Sequence, residues 1–145
     1  PLGALDARRE GRDPEARFPV GTTPPLAIRT NATDSMWRVI LEFELDQIRR
    51  PTIVFEATAQ SLVAGPDGRR RFDPTKFVGA RLVRGDGAKD FDEVQQMVAE
   101  KLAASGSNWV PVWLRVEGFD PATKATTAQS AWRTFRVVGE RALRR

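Results

Sequence analysis

The 145-residue chain contains no histidine, no cysteine and no tyrosine. Lacking histidine, it has no side chain whose ordinary pKa falls between pH 5 and 8, and so no usual proton shuttle near neutrality. Lacking cysteine, it forms no disulfide and offers neither a thiolate nucleophile nor a soft metal ligand. Ser–His and Cys–His nucleophilic pairs are impossible within the chain. A structural zinc site is excluded in practice, because carboxylates alone do not supply the usual ligand set. There is also no apolar run approaching the roughly 20 residues that span a bilayer, and no secretory-leader pattern at the start. These absences together predict a soluble protein of a reducing intracellular compartment, with no membrane insertion.

What remains is ordinary globular material, 41% hydrophobic and 29% charged, enough for one domain with a real core. The net charge is +4, and the 23 cations divide into 19 arginines and 4 lysines. Arginine suits bidentate contacts with carboxylate or phosphate. The same excess accompanies GC-rich coding, which the high Ala, Gly and Pro content also suggests. Asn31-Ala32-Thr33 is a formal glycosylation triplet, of a kind common by chance.

Residues 1–35 read as an extended or partly disordered N-terminal arm. Ala4 to Arg17 is dense in both charges, and its first part is compatible with a short helix ending before Pro14. Phe18 to Ile28 carries Pro19, Pro24 and Pro25, which forbid a helix and favour extended backbone. Phe18, Val20, Leu26 and Ile28 are apolar anchors that a mere linker would not need.

Residues 36–145 read as a single α+β domain. In Trp37–Asp46, the apolar Trp37, Val39, Leu41, Phe43 and Leu45 alternate with mostly polar neighbours, the period of a half-buried strand. Thr52–Ala64 repeats the pattern, with Ile53, Phe55, Ala57, Ala59 and Val63 on one face, and Gly65-Pro66-Asp67-Gly68 closes it with a turn. Lys76–Val83 is a less regular strand. Asp90 and Glu93 then form a capping box for a helix whose stripe is Phe91, Val94, Met97, Val98 and Leu102, stopped at Gly106. Trp109–Phe119 is a strand with Val110, Val112, Leu114 and Val116 inward; Pro111, having no amide donor, argues for an edge or a bulge. Asp120–Ser130 reads as a polar loop. Ala131–Gly139 reads as a final strand, although Trp132, Phe135, Val138 and Ala142 also share a helical face. The expected architecture is a mainly antiparallel sheet of about five strands, a small sandwich or partly open barrel, with one covering helix.

Several constellations carry candidate chemistry. Glu42, Glu44 and Asp46 share one strand face, where residues two apart lie near 7 Å and two carboxylates could flank a substrate. Solvated antiparallel strands show the same alternation without catalysis. Asp86, Asp90, Asp92 and Glu93 offer hard oxygens without EF-hand spacing, and helix capping already accounts for them. Arg84-Gly85-Asp86 spells an integrin-type tripeptide and equally a glycine turn. Arg69, Arg70 and Arg71, with Arg144 and Arg145, would make a phosphate-binding stripe if folded together. Trp109 and Trp113 lie on the less apolar face of their strand and suggest a contact surface.

These features predict a non-enzymatic interaction or assembly domain, without catalytic residues, metal or cofactor. It would self-associate or dock into a larger complex through edge strands and the arm, with Trp109, Trp113, Phe18 and Leu26 as contacts. The alternative is a nucleic-acid-binding or ribonucleoprotein subunit using Arg69, Arg70, Arg71, Arg144 and Arg145.

Overall fold

A computed structural model describes residues 2–10, 15–16, 20–32, 36–104 and 109–138. They form an α+β fold with two open, mainly antiparallel sheets and one helix. The larger sheet has seven strands. Six of them run in the order β2 (Glu15–Ala16), β11 (Arg133–Val138), β9 (Trp109–Phe119), β4 (Met36–Phe43), β5 (Thr52–Ala57) and β8 (Phe77–Arg84). The seventh, β10 (Thr126–Gln129), also pairs with β9. The smaller sheet is ordered β1 (Leu5–Arg9), β3 (Leu26–Thr30), β7 (Arg70–Phe72) and β6 (Leu62–Ala64). This replaces the single sheet of about five strands, and neither sheet closes into a barrel.

The core lies between the larger sheet on one side and the helix α1 (Phe91–Ala104) with the smaller sheet on the other. Alternation in β4 produces this directly: Trp37, Val39, Leu41 and Phe43 are all at most 1% exposed, and their neighbours are only half-buried. From β9 come Val110, Val112, Leu114 and Val116, and from β5 come Ile53 and Phe55. Val94 and Val98 dock α1 onto this surface, with Phe91, Met97 and Leu102 packed around them. At the helix start the Glu93 amide donates to Asp90 Oδ1 at 2.9 Å, as a capping residue requires. The return bond comes from one residue earlier than a capping box specifies, since it is the Lys89 amide that donates to Glu93 Oε2. The stop at Gly106 lies outside the described residues.

Four stretches differ from their sequence reading. Leu5–Arg9, compatible with a helix, is a strand paired antiparallel with β3, and Ala7 at its centre is fully buried. The cross-strand partner decides this, because a five-residue segment gains too little from local helix formation. Thr52–Ala64 is not one strand. A 3₁₀ turn at Ala59–Ser61 carries the chain from the larger sheet into the smaller one, leaving Val63 57% exposed rather than in the core. Within Asp120–Ser130 the β-branched pair Thr126-Thr127 opens β10, which extends along the C-terminal end of β9. Finally, β9 is a central strand, flanked by β4 and by β10 and β11, so Pro111 marks no edge. The Glu44 amide donates to the Pro111 carbonyl at 2.9 Å, just past the end of β4 at Phe43. In a strand a residue's N–H and C=O point the same way, so the missing donor falls where that ladder has stopped. Arg133–Val138 is a strand, antiparallel to β9, and not a helix.

Candidate interaction surface

The helix and the smaller sheet both cover the inner face of the larger sheet. The rows of its outer face follow from register. Thr134, Trp113, Glu42 and Thr52 form one row, Arg115, Ile40, Val54 and Arg81 another, and Glu117, Arg38, Glu56 and Gly79 a third. Arginines bind this surface into a lattice. Arg38 faces Glu117 at 3.4 Å and lies 4.5 Å over the Phe119 ring. Arg115 lies 4.9 Å over Trp132 and donates to the Ser130 carbonyl at 3.1 Å. Arg136 lies 5.6 Å over Trp109. Such stacks hold a guanidinium by the ring quadrupole, each contributing about 0.5–1 kcal/mol at an exposed site.

Trp109 and Trp113 therefore share the outer face, as their phase requires, although not on an edge strand. Trp109 is 40% exposed; Trp113 is half-buried, and its Nε1 has no hydrogen-bond partner among the described residues. Leu26 is placed differently from its expected contact role: it is 2% exposed and belongs to the core. Pairing β3 between β1 and β7 turns Leu26 and Ile28 inward. Phe18 lies outside the described residues.

The carboxylate row is not free. β4 ends at Phe43, so only Glu42 lies in the strand. Arg50 bonds both Glu42 at 3.3 Å and Glu44 at 2.7 Å. Asp46 accepts from the Arg49 amide at 2.7 Å and the Arg49 side chain at 2.9 Å, and from the Ile48 amide at 2.8 Å. These bonds to the ionised form bring its pKa down to about 2, the reverse of what a general acid near neutrality needs. An open cleft of about 410 Å³ beside Trp109 is lined by Glu44 and Asp46 with Arg50 and Lys101. The carboxylates there serve as ion-pair partners. Among the described residues no cluster of three or more acids is placed to hold a metal ion.

The integrin-type tripeptide is closed on itself. Arg84 Nε reaches Asp86 at 2.8 Å, and the Arg50 amide donates to Asp86 at 2.6 Å. Asp86 and Gly87 have φ of 50° and 108°, which makes the tripeptide part of a tight turn. Of the candidate phosphate-binding arginines, Arg70 and Arg71 lie in β7 and Arg69 just before it. Arg71 is taken up by Glu10 at 2.6 Å and Asp67 at 3.0 Å. Hydrogen bonds from Arg71 and the Arg69 amide hold the Asp67 carboxyl well below the usual range. Arg144 and Arg145 lie outside the described residues, so no stripe uniting them with Arg69–Arg71 is visible.

One feature went unmarked in the sequence. β8 ends the larger sheet, and among the described residues nothing pairs with its outer edge. Val78 and Val83 are 62% and 50% exposed. A groove of about 320 Å³ runs beside the strand, between Gly21–Thr23 and Phe77–Ala80. The available signal was the run Phe77-Val78-Gly79-Ala80-Arg81-Leu82-Val83, apolar or small at all but one position. Its irregular alternation hid which residues face outward. At the opposite end the edge strand β2 spans only two residues.

Comparison with known proteins supplies no relative: no family model, no curated protein and no solved structure matches this chain. The fold defines a class only, an α+β fold with two open, mainly antiparallel sheets and one helix. Among the described residues no helix is long and apolar enough to cross a membrane.

Proposed function

We propose that this chain is a non-enzymatic interaction or assembly domain that docks a protein strand along the free edge of β8. The observation that carries this reading is that edge, eight residues long, apolar at Val78 and Val83, and unpaired among the described residues. Unpaired strand N–H and C=O groups template another strand, and natural sheets usually blunt such an edge with lysine, proline or a covering segment. β8 contains neither lysine nor proline; of its two arginines, Arg84 is paired with Asp86 and Arg81 with Glu56, and register shifts flank its regular stretch. The outer face beside it, with exposed Trp109 and Trp132 and the arginine stacks, provides adhesive side chains of the type enriched at interfaces. The neutralised Glu42, Glu44 and Asp46 support a role without acid–base chemistry. The nucleic-acid alternative has less support, because Arg71 is already engaged by two carboxylates.

The test is selection of displayed random peptides on the intact chain, with subtraction on Val78→Lys, which puts a charge on the edge at an exposed position. Alternating apolar–polar peptides that bind wild type and lose binding on the variant are the expected result. Recovery of no peptide sensitive to Val78→Lys would overturn strand docking.

A further inference from the structure

The edge of β8 is complementary to itself, and we infer that its partner is a second copy of this chain, paired antiparallel about Ala80. This rests on the strand-docking reading and adds the identity and register of the partner. β5 pairs Glu56 with Gly79, Phe55 with Ala80, Val54 with Arg81 and Ile53 with Leu82. Val54 and Glu56 belong to the outer face, so Gly79 and Arg81 lie outward and Ala80 and Leu82 inward. A continuous sheet requires that residues opposed across the new seam share a face. Two-fold antiparallel pairing must then centre on a residue rather than between two.

Two such centres fall within the regularly paired stretch Gly79–Leu82 and keep most of that stretch in the seam. Centring on Arg81 sets the two Arg81 side chains directly opposite, and like charges so placed destabilise a pair. Centring on Ala80 brings two methyl groups together and sets each Arg81 opposite Gly79. Gly79 has no side chain to fill the outer face, and the space there is open. Arg81 of one copy can therefore cross Gly79 of the other towards Glu56, the next residue in that row. Within its own chain Arg81 meets Glu56 at only 3.4 Å, and the two side chains are 61% and 34% exposed. Each copy thus presents one cation and one carboxylate in complementary positions. Arg84, at the strand end, is already neutralised by Asp86 at 2.8 Å. Register shifts between Thr52 and Ile53 and between Glu56 and Ala57 confine regular pairing to Gly79–Leu82. The seam is therefore short, and the dimer it makes is weak and concentration-dependent.

The absence of native cysteine makes the test clean. Ala80→Cys is expected to oxidise to a disulfide-linked dimer at concentrations where Glu100→Cys, on the exposed side of α1, does not. Arg81→Glu and Glu56→Arg are each expected to weaken association about tenfold by sedimentation equilibrium, since two contacts per dimer change sign. Their equimolar mixture is expected to recover it, because each variant then supplies the charge that the other lacks across the seam. An intrachain role for the pair gives no such recovery. A chain that stays monomeric up to its solubility limit, or Ala80→Cys that crosslinks no faster than the control, overturns self-pairing. Arg81→Cys crosslinking ahead of Ala80→Cys overturns the register. Either failure leaves the peptide selection to judge strand docking separately.

Discussion

Along β9, Val110, Val112, Leu114 and Val116 are each at most 1% exposed, whereas Pro111, Trp113, Arg115 and Glu117, one step out of phase, are only half-buried. The inner set is held by close packing against α1 and the smaller sheet, and is interchangeable only among apolar residues of similar volume. In the outer set, Glu117 pairs with Arg38 and Arg115 stacks on Trp132. One strand thus carries two kinds of stabilisation that differ several-fold in magnitude. That difference separates positions that specify the fold from positions available for contact.

The largest effects should come from the inner face. Leu41→Ala leaves a cavity where the side chain is fully buried, with an expected loss of about 2–5 kcal/mol in urea unfolding. Leu26→Ala is expected to fall in the lower half of the same range, about 2–3 kcal/mol. A value near zero would return Leu26 to the role of a contact residue and remove the smaller sheet from the core. Next, Asp90→Ala removes the helix cap on the covering layer and is expected to cost about 1 kcal/mol by the same measurement. On the outer face, Trp113→Phe is expected to change stability by less than about 1 kcal/mol, because the indole N–H it removes is buried with no partner among the described residues. A loss as large as that of Leu41→Ala would show that something covers this face.

The smallest effect is that of pH, which acts on the exposed rim. Asp46, Asp67 and Asp86 are held below the usual 3.8 by hydrogen bonds from arginine side chains and nearby amides. A carboxyl with a lowered folded pKa stabilises the fold above its unfolded pKa and loses that contribution as pH falls through the folded one. The melting temperature should therefore fall as pH is lowered from about 4 towards about 2. It should be flat between about pH 5 and 7, since no histidine is present to titrate. A transition within that window, followed by circular dichroism, would contradict this account.

Much of the fold was legible because burial on one sheet face writes a period of two into the chain. Trp109–Phe119 was delimited correctly to the residue and β8 to within one, β4 was drawn three residues too long at its end, and the helix cap at Asp90 was read from two acids three apart. The candidate surface was legible only in part. Phase alone put Trp109 and Trp113 on the outer face. It did not reveal that β9 is central, because Pro111 is tolerated by the end of β4, a neighbour far away in sequence.

By itself the sequence determined what this protein lacks and which side of each main strand faces inward. The chemistry of an absent side chain and the alternation of the pleat are both local properties. Tertiary structure alone decided which strands neighbour one another. It drew Leu5–Arg9 and Leu26–Thr30 into a second sheet, consumed the row of carboxylates in pairs with Arg49 and Arg50, and left β8 at the end of the larger sheet. Strand order is settled by hydrogen bonds and packing between residues tens of positions apart, and no local pattern records the partner that a strand edge finds or lacks.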